Sequence, residues 1–181
     1  MLHFVCTRDE GYQMARGHSR FWVSNCGCRE GRGECARSRM DLCLHFRDTG
    51  QGSGSGFKEV PWSFVEEIFR EAKEKCLVTR PFREADGSPV VGGICFCCDD
   101  CCGYFLDPQE ACDKGPLVAR TDMEACNDCL ECVRVCHFSA RRAEGDELIY
   151  YDEKCYGCGL CAEVCPTRCI TMVTRLTVGR G

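Results

Sequence analysis

Cys126-Asn127-Asp128-Cys129-Leu130-Glu131-Cys132-Val133-Arg134-Val135-Cys136 is followed 29 residues on by Cys155-Tyr156-Gly157-Cys158-Gly159-Leu160-Cys161-Ala162-Glu163-Val164-Cys165, with Pro166 next. Each run is Cys-x2-Cys-x2-Cys-x3-Cys. Three thiolates two residues apart lie on one tight loop that can wrap one region of a cubic iron–sulfur cluster. The remaining iron needs a ligand from farther along the chain. A structural zinc ion takes four ligands and leaves the two x3-Cys tails unexplained.

The doubled motif resembles the bacterial dicluster ferredoxins over roughly residues 118–175. The resemblance implies two [4Fe–4S] clusters, with the fourth cysteine of each run crossing to the other cluster. Cys126, Cys129, Cys132 and Cys165 would hold the first cluster, and Cys155, Cys158, Cys161 and Cys136 the second. The first run departs from the family in ending Cys136-His137, where Cys-Pro is usual; Pro166 keeps the usual form. His137 either hydrogen-bonds near a cluster sulfur, raising that potential, or faces solvent in place of a turn proline, which is the plainer reading. Gly157 and Gly159 would let backbone N–H groups approach the second cluster. Asn127, Asp128 and Glu131 stand in the first loop, and nearby carboxylates make the first cluster the harder one to reduce.

The chain has 181 residues, of which 21 are cysteine, enough for one or two small domains. A secreted disulfide scaffold is the competing class. Against it stand the odd count, the cluster-type spacing, and Arg8-Asp9-Glu10 where a signal peptide would be apolar. No apolar run approaches the ~18 residues of a membrane span. The expectation is a soluble, cytoplasmic protein of a reducing, anaerobic setting. The formal net charge is −5, unevenly spread: residues 99–154 hold 14 acidic against 6 basic side chains, and residues 16–47 hold 7 Arg against 3 acidic. An acidic cluster-bearing face suits docking to a basic patch on a redox partner. Nucleic-acid binding is disfavoured by the total charge, and Arg29, Arg32, Arg37 and Arg39 alone keep it open.

Two further segments are dense in thiols. Phe21-Trp22-Val23 reads as a buried strand leading into Cys26, Cys28 and Cys35, and Arg37–Phe46 reads as a short helix carrying Cys43. Their C-x-C-x6-C-x7-C spacing matches no standard zinc ribbon. Thr49–Gly56, with four Gly and two Ser, reads as a flexible linker. Pro61 then opens a helix whose apolar stripe is Trp62, Val65, Phe69, Ala72 and Cys76, with Cys76 expected as a core thiol. A loop at Asp86-Gly87-Ser88-Pro89 leads into Cys95-Phe96-Cys97-Cys98-Asp99-Asp100-Cys101-Cys102. Adjacent cysteine pairs cannot all point at one metal.

The C-x-C-R and C-L-x-F pieces, with the CxCC-x2-CC stretch, resemble the N-terminal part of larger 4Fe–4S dicluster-domain proteins. That likeness implies cluster binding and no defined reaction. The nine thiols of the two segments are enough for one or two additional iron–sulfur clusters, cubane or not, and the four of the first segment could instead close around zinc; Cys26, Cys28, Cys35, Cys43, Cys95, Cys98 and Cys101 are the candidate ligands. Cys6 and Cys112 read as free thiols, and Cys169 as a packing thiol.

The expected fold is therefore α+β: a small cysteine-rich α+β metal-binding region over residues 1–116 and a ferredoxin-like two-cluster domain over 117–181. Leu117-Val118-Ala119 should pair with Ile170–Val173. Ala140–Tyr151 should form a hairpin turning at Glu144-Gly145-Asp146, and each motif should end in a short helix. Tyr150, Tyr151 and Tyr156 are expected to shield the second cluster. The expected function is single-electron transfer, as a polyferredoxin-like carrier or a subunit of a larger oxidoreductase. A cluster-based enzyme or sensor sited in the N-terminal region is the alternative, and a metal-stabilised interaction module the third.

Overall fold

The structure is a computed structural model and describes residues 2–49, 54–83, 90–107 and 112–175. The N-terminal elements are β1 (Leu2–His3), α1 (Arg8–Arg16), β2 (Phe21–Ser24), α2 (Gly27–Arg32), β3 (Cys43–His45), β4 (Lys58–Val60), α3 (Trp62–Glu74), β5 (Val78–Arg83), β6 (Val91–Cys97) and α4 (Gly103–Leu106). Six strands form one antiparallel sheet in the order β1-β5-β6-β3-β2-β4.

Side chains alternate across a strand, and the sheet's two faces differ in chemistry accordingly. Phe21 and Val23 of β2, Leu44 of β3, and Ile94 and Phe96 of β6 point to one face. There they pack with Ala15 of α1 and Val65, Ile68, Phe69 and Ala72 of α3 into the main apolar core. The predicted stripe of α3 is thus what covers the sheet. Thr7 caps α1 reciprocally: Glu10 N–H donates to the Thr7 hydroxyl, and Thr7 N–H donates to the Glu10 carboxylate. The intervening residues, Cys43, Cys95 and Cys97, face the other way. Cys43 and Cys95 stand opposite each other in register, with their sulfurs 3.7 Å apart.

Three local expectations change. Arg37–Phe46 is no helix: Cys43–His45 is the strand β3, paired with β2 and β6, because Leu44 alternating with Cys43 and His45 fits a two-sided sheet. The segment expected as a linker separates nothing, since β2 pairs with β3 before it and β4 after it. Residues 50–53 lie outside the described residues, but Ser55 is bound to Asn25 and Glu30. Cys76 sits half-buried just past α3 with φ 50°, its thiol turned to Lys73 O instead of into the core. The expected loop at 86–89 lies outside the described residues.

The C-terminal elements follow expectation: β7 (Leu117–Thr121), α5 (Glu131–Arg134), β8 (Arg141–Glu144), β9 (Glu147–Tyr150), α6 (Leu160–Val164) and β10 (Ile170–Thr174). β7 pairs antiparallel with β10, and β8 with β9. A third cluster of side chains joins this part to the sheet. Val5, Val78, Cys97, Cys102 and Leu160 are buried together, with Tyr104, Phe105, Phe138 and Tyr156 packed against them. His137 belongs to this junction. Its side chain is 2 % exposed, Nε2–H donates to Cys76 O at 2.9 Å, and Nδ1 lies 3.4 Å from an Asp99 carboxylate oxygen. It faces neither solvent nor a cluster site; it ties α5's exit to the sheet half.

Candidate metal centres

The two cysteine runs fold as copies. Left-handed backbone occurs at Asp128, Leu130 and Ser139 in the first run and at Gly157, Gly159 and Arg168 in the second. These positions match pair by pair along the repeat. Each run therefore makes the same reversed turns, lifts its middle cysteines onto one loop, and enters a single helical turn, α5 or α6. The second run meets the requirement with glycine at the two loop positions, 157 and 159. The first uses Asp128, exposed, and Leu130.

Two cavities open inside this part. One is lined by Cys126, Cys129, Cys132 and Cys165, with Leu148 and Ile170. The other is lined by Cys136, Cys155, Cys158 and Cys161, with Tyr150 and Tyr156. Tyr151 does not line it; its ring lies under Lys154 at the surface. Between the cavities lies Arg141, 2 % exposed. Its guanidinium donates to Thr121 Oγ1 at 2.9 Å, lies 3.9 Å from Cys132 Sγ, and also faces Cys161. A buried cation flanked by thiols is stable when those thiols carry negative charge. Four converging thiols and a fixed positive charge fit a [4Fe–4S] cluster in each cavity. Cys169 also lines the first cavity, its sulfur 3.5 Å from that of Cys165. Asp128 lies 3.7 Å from Cys126 Sγ, so the expected carboxylate does stand beside the first site.

The N-terminal candidates do not gather at one point. Cys35, Cys98 and Cys101 meet, with sulfurs 3.5–3.6 Å apart. Cys26 and Cys28 lie instead at the thiol face of the sheet with Cys97 and Cys102: the Cys28 thiol faces those of Cys26 and Cys102, and Cys102 faces Cys97. Arg80, 1 % exposed, donates to Cys102 Sγ at 3.1 Å and Cys97 Sγ at 3.6 Å. Cys43 and Cys95 form a pair of their own beside His3. Cys97 and Cys102 are absent from the sequence-based ligand set. Strand alternation carries the signal that would have found Cys97, since Cys95 and Cys97 share a face of β6; Cys102, in the turn before α4, carries no such local signal.

No disulfide joins any of the 21 cysteines in the structure. Burial pushes the Cys6 thiol well above its ordinary range, as suits a packing residue. Cys112 is half-buried beside Arg80. The arginines considered for nucleic acid are engaged internally. Arg29 is fully buried, Arg37 pairs with Asp99, Arg39 pairs with Asp41 and Glu71, and Arg32 donates to Asp100 O. No helix of the described residues is long and apolar enough to cross a membrane.

Residues 148–171 match the 4Fe-4S binding domain family. Two curated relatives are similar, both named archaeal-type glutamate synthase [NADPH], from Thermotoga sp. (strain RQ2) and Thermotoga maritima. Each is 40 % identical over 58 residues, covering 31 % of this chain and 11 % of the relative. The chain thus spans about a tenth of the length of the relatives it matches. No solved structure matches. With the doubled cysteine runs, these findings place a 4Fe–4S binding domain of ferredoxin type within a cysteine-rich α+β chain.

Proposed function

We propose that this protein transfers single electrons through two [4Fe–4S] clusters, as a polyferredoxin-like carrier or as the electron-transfer subunit of a larger oxidoreductase. The observation that carries the reading is the pair of cavities, each lined by three cysteines of one run and the fourth of the other, with Arg141 between them. Cys126, Cys129, Cys132 and Cys165 are the ligands proposed for the first cluster; Cys136, Cys155, Cys158 and Cys161 are those proposed for the second. When bound, such clusters supply one-electron chemistry, and the protein supplies ligation, low dielectric and charge. Here Tyr150 and Tyr156 exclude water from the second site, and Arg141 offsets thiolate charge at both.

Cys26, Cys28, Cys97 and Cys102, with Arg80, are the thiols we assign to one additional iron–sulfur centre. The half-buried Tyr104–Phe138–Tyr156 contacts lie between this group and Cys158, which suits a relay. The relatives are named as an NADPH-dependent synthase, and a larger oxidoreductase is accordingly the partner class proposed. An acidic cluster-bearing segment would dock on a basic surface of that partner.

Iron and acid-labile sulfide per chain, measured anaerobically, test this. About 12 of each fit three cubes, and about 8 fit the ferredoxin pair alone. Below about 4 iron, the electron-transfer reading fails.

A further inference from the structure

Cys35, Cys98 and Cys101 are on the helix-covered side of the sheet, apart from the thiols of the opposite face. Cys98 is fully buried, Cys101 is 5 % exposed, and Cys35 is half-buried. Among the described residues they are the one group of three metal-ligating side chains whose ligand atoms all lie within 4.8 Å of one another. The ferredoxin cysteines form no such group. The contrast reflects how thiolates are shared. On a cube each thiolate caps its own iron, so the sulfurs stand apart. On one tetrahedral ion with ~2.3 Å bonds, two thiolates lie about 3.8 Å from each other. The observed 3.5–3.6 Å corresponds to the single ion.

A second observation points the same way. Arg29 is 0 % exposed, yet no carboxylate among the described residues pairs with it. Its guanidinium donates to Phe96 O at 3.0 Å, lies 4.0 Å from Cys98 Sγ, and faces Cys35. A buried guanidinium needs a counter-charge. Three thiolates on a divalent ion carry one net negative charge, which Arg29 balances. Arg141 stands in the same relation to the ferredoxin cysteines. The loop carrying Cys35 is fixed to the turn carrying Cys98 and Cys101: Ala36 N–H donates to Asp100 Oδ2 at 3.0 Å, and Arg37 pairs with Asp99 at 2.8 Å. The two ligand segments are thus held in register by contacts outside the thiols.

We propose that Cys35, Cys98 and Cys101 bind a single thiophilic divalent ion, zinc by preference, separate from any iron–sulfur cluster. The fourth coordination position is left to solvent or an exogenous ligand on the half-exposed Cys35 side. Three protein ligands and one open position are the arrangement of an ion that can exchange a ligand, unlike a closed four-cysteine site.

The full chain, purified anaerobically with Zn²⁺ supplied, is analysed for zinc, iron and sulfide, and by zinc X-ray absorption. The expected result is one zinc per chain, with three sulfurs near 2.3 Å and one lighter neighbour. Cys98→Ser is expected to lose that zinc and keep its iron and sulfide. Cys35→Ala, at the half-exposed edge, should do the same with the ferredoxin-type electron paramagnetic resonance signal intact. No zinc in the unaltered protein, or a four-sulfur shell, overturns the proposal without any variant having to fold. Loss of about four iron and four sulfide in Cys98→Ser overturns it in favour of a cube. Iron missing from the unaltered protein would sink the electron-transfer reading and leave the zinc result standing.

Discussion

Among the described residues the three largest fully buried side chains are arginines, Arg29, Arg80 and Arg141, and each lies against cysteine sulfurs. Burying a guanidinium is costly unless negative charge faces it. Arg29 and Arg141, paired with no carboxylate among the described residues, therefore mark where metal-bound thiolates would find a counter-charge. Arg141→Leu removes a cation shared by both ferredoxin sites. It is expected to lower both midpoint potentials by on the order of 50–100 mV, the equivalent of roughly 1–2 kcal/mol per electron at an effective dielectric near 20. A redox titration followed by electron paramagnetic resonance checks this, and unchanged potentials would deny Arg141 the role. Asp128 acts in the opposite sense, 3.7 Å from Cys126 Sγ. Asp128→Asn keeps a residue that tolerates the left-handed backbone and should raise the first site's potential by tens of millivolts, leaving the second unmoved.

At the scale of elements, the repeat is written in backbone conformation as much as in cysteines. Gly157 has φ +81°, and a Cβ there would lie 2.2 Å from Leu117 O of β7. Gly157→Ala should cost roughly 1–2 kcal/mol for the backbone alone and more for the displaced strand. Gly33, with φ +88° and no atom within 4 Å of its would-be Cβ, should lose the backbone component only when changed to Ala. Denaturant midpoints, read with iron retention, compare the two; iron loss is expected for Gly157→Ala and not for Gly33→Ala. The hairpin β8–β9 and helix α3 were legible because each follows a local rule of turn chemistry or 3.6-residue periodicity, whereas the pairing of β7 with β10 is long-range and was expected from the resemblance to the dicluster ferredoxins. Strand β3 was not. Its three residues, Cys43–His45, are too few to show a period, and its pairing with β2 and β6 is a long-range fact.

At the scale of the molecule, the two parts are stabilised differently. The sheet part has an apolar core spanning Phe21 to Phe96, covered by α1 and α3. The ferredoxin part buries eight residues in its core cluster, four of which are cysteine. Few apolar side chains remain to drive its folding, so metal ligation must contribute much of the free energy. Stripping the metals with chelator and oxidant should expose residues 117–175 to limited proteolysis. Trp22 and Trp62, in or against the sheet, should keep their native emission. Proteolysis that spread equally through the sheet would mean the two parts unfold together through the Val5–Leu160 junction.

The sequence by itself determined the doubled cysteine motif and the strands and helices around it, because ligand spacing and turn residues act over a few positions. It also located the two dense cysteine segments. It did not determine how those thiols divide. Tertiary structure decided that, since a strand sends neighbouring cysteines to opposite faces and long-range pairing then chooses their companions. In this way Cys98 left Cys97 to join Cys35 and Cys101, and His137 turned from its own motif to bind Cys76 O. The buried arginines were equally out of reach, because an arginine reads as a surface residue until the fold encloses it among thiols.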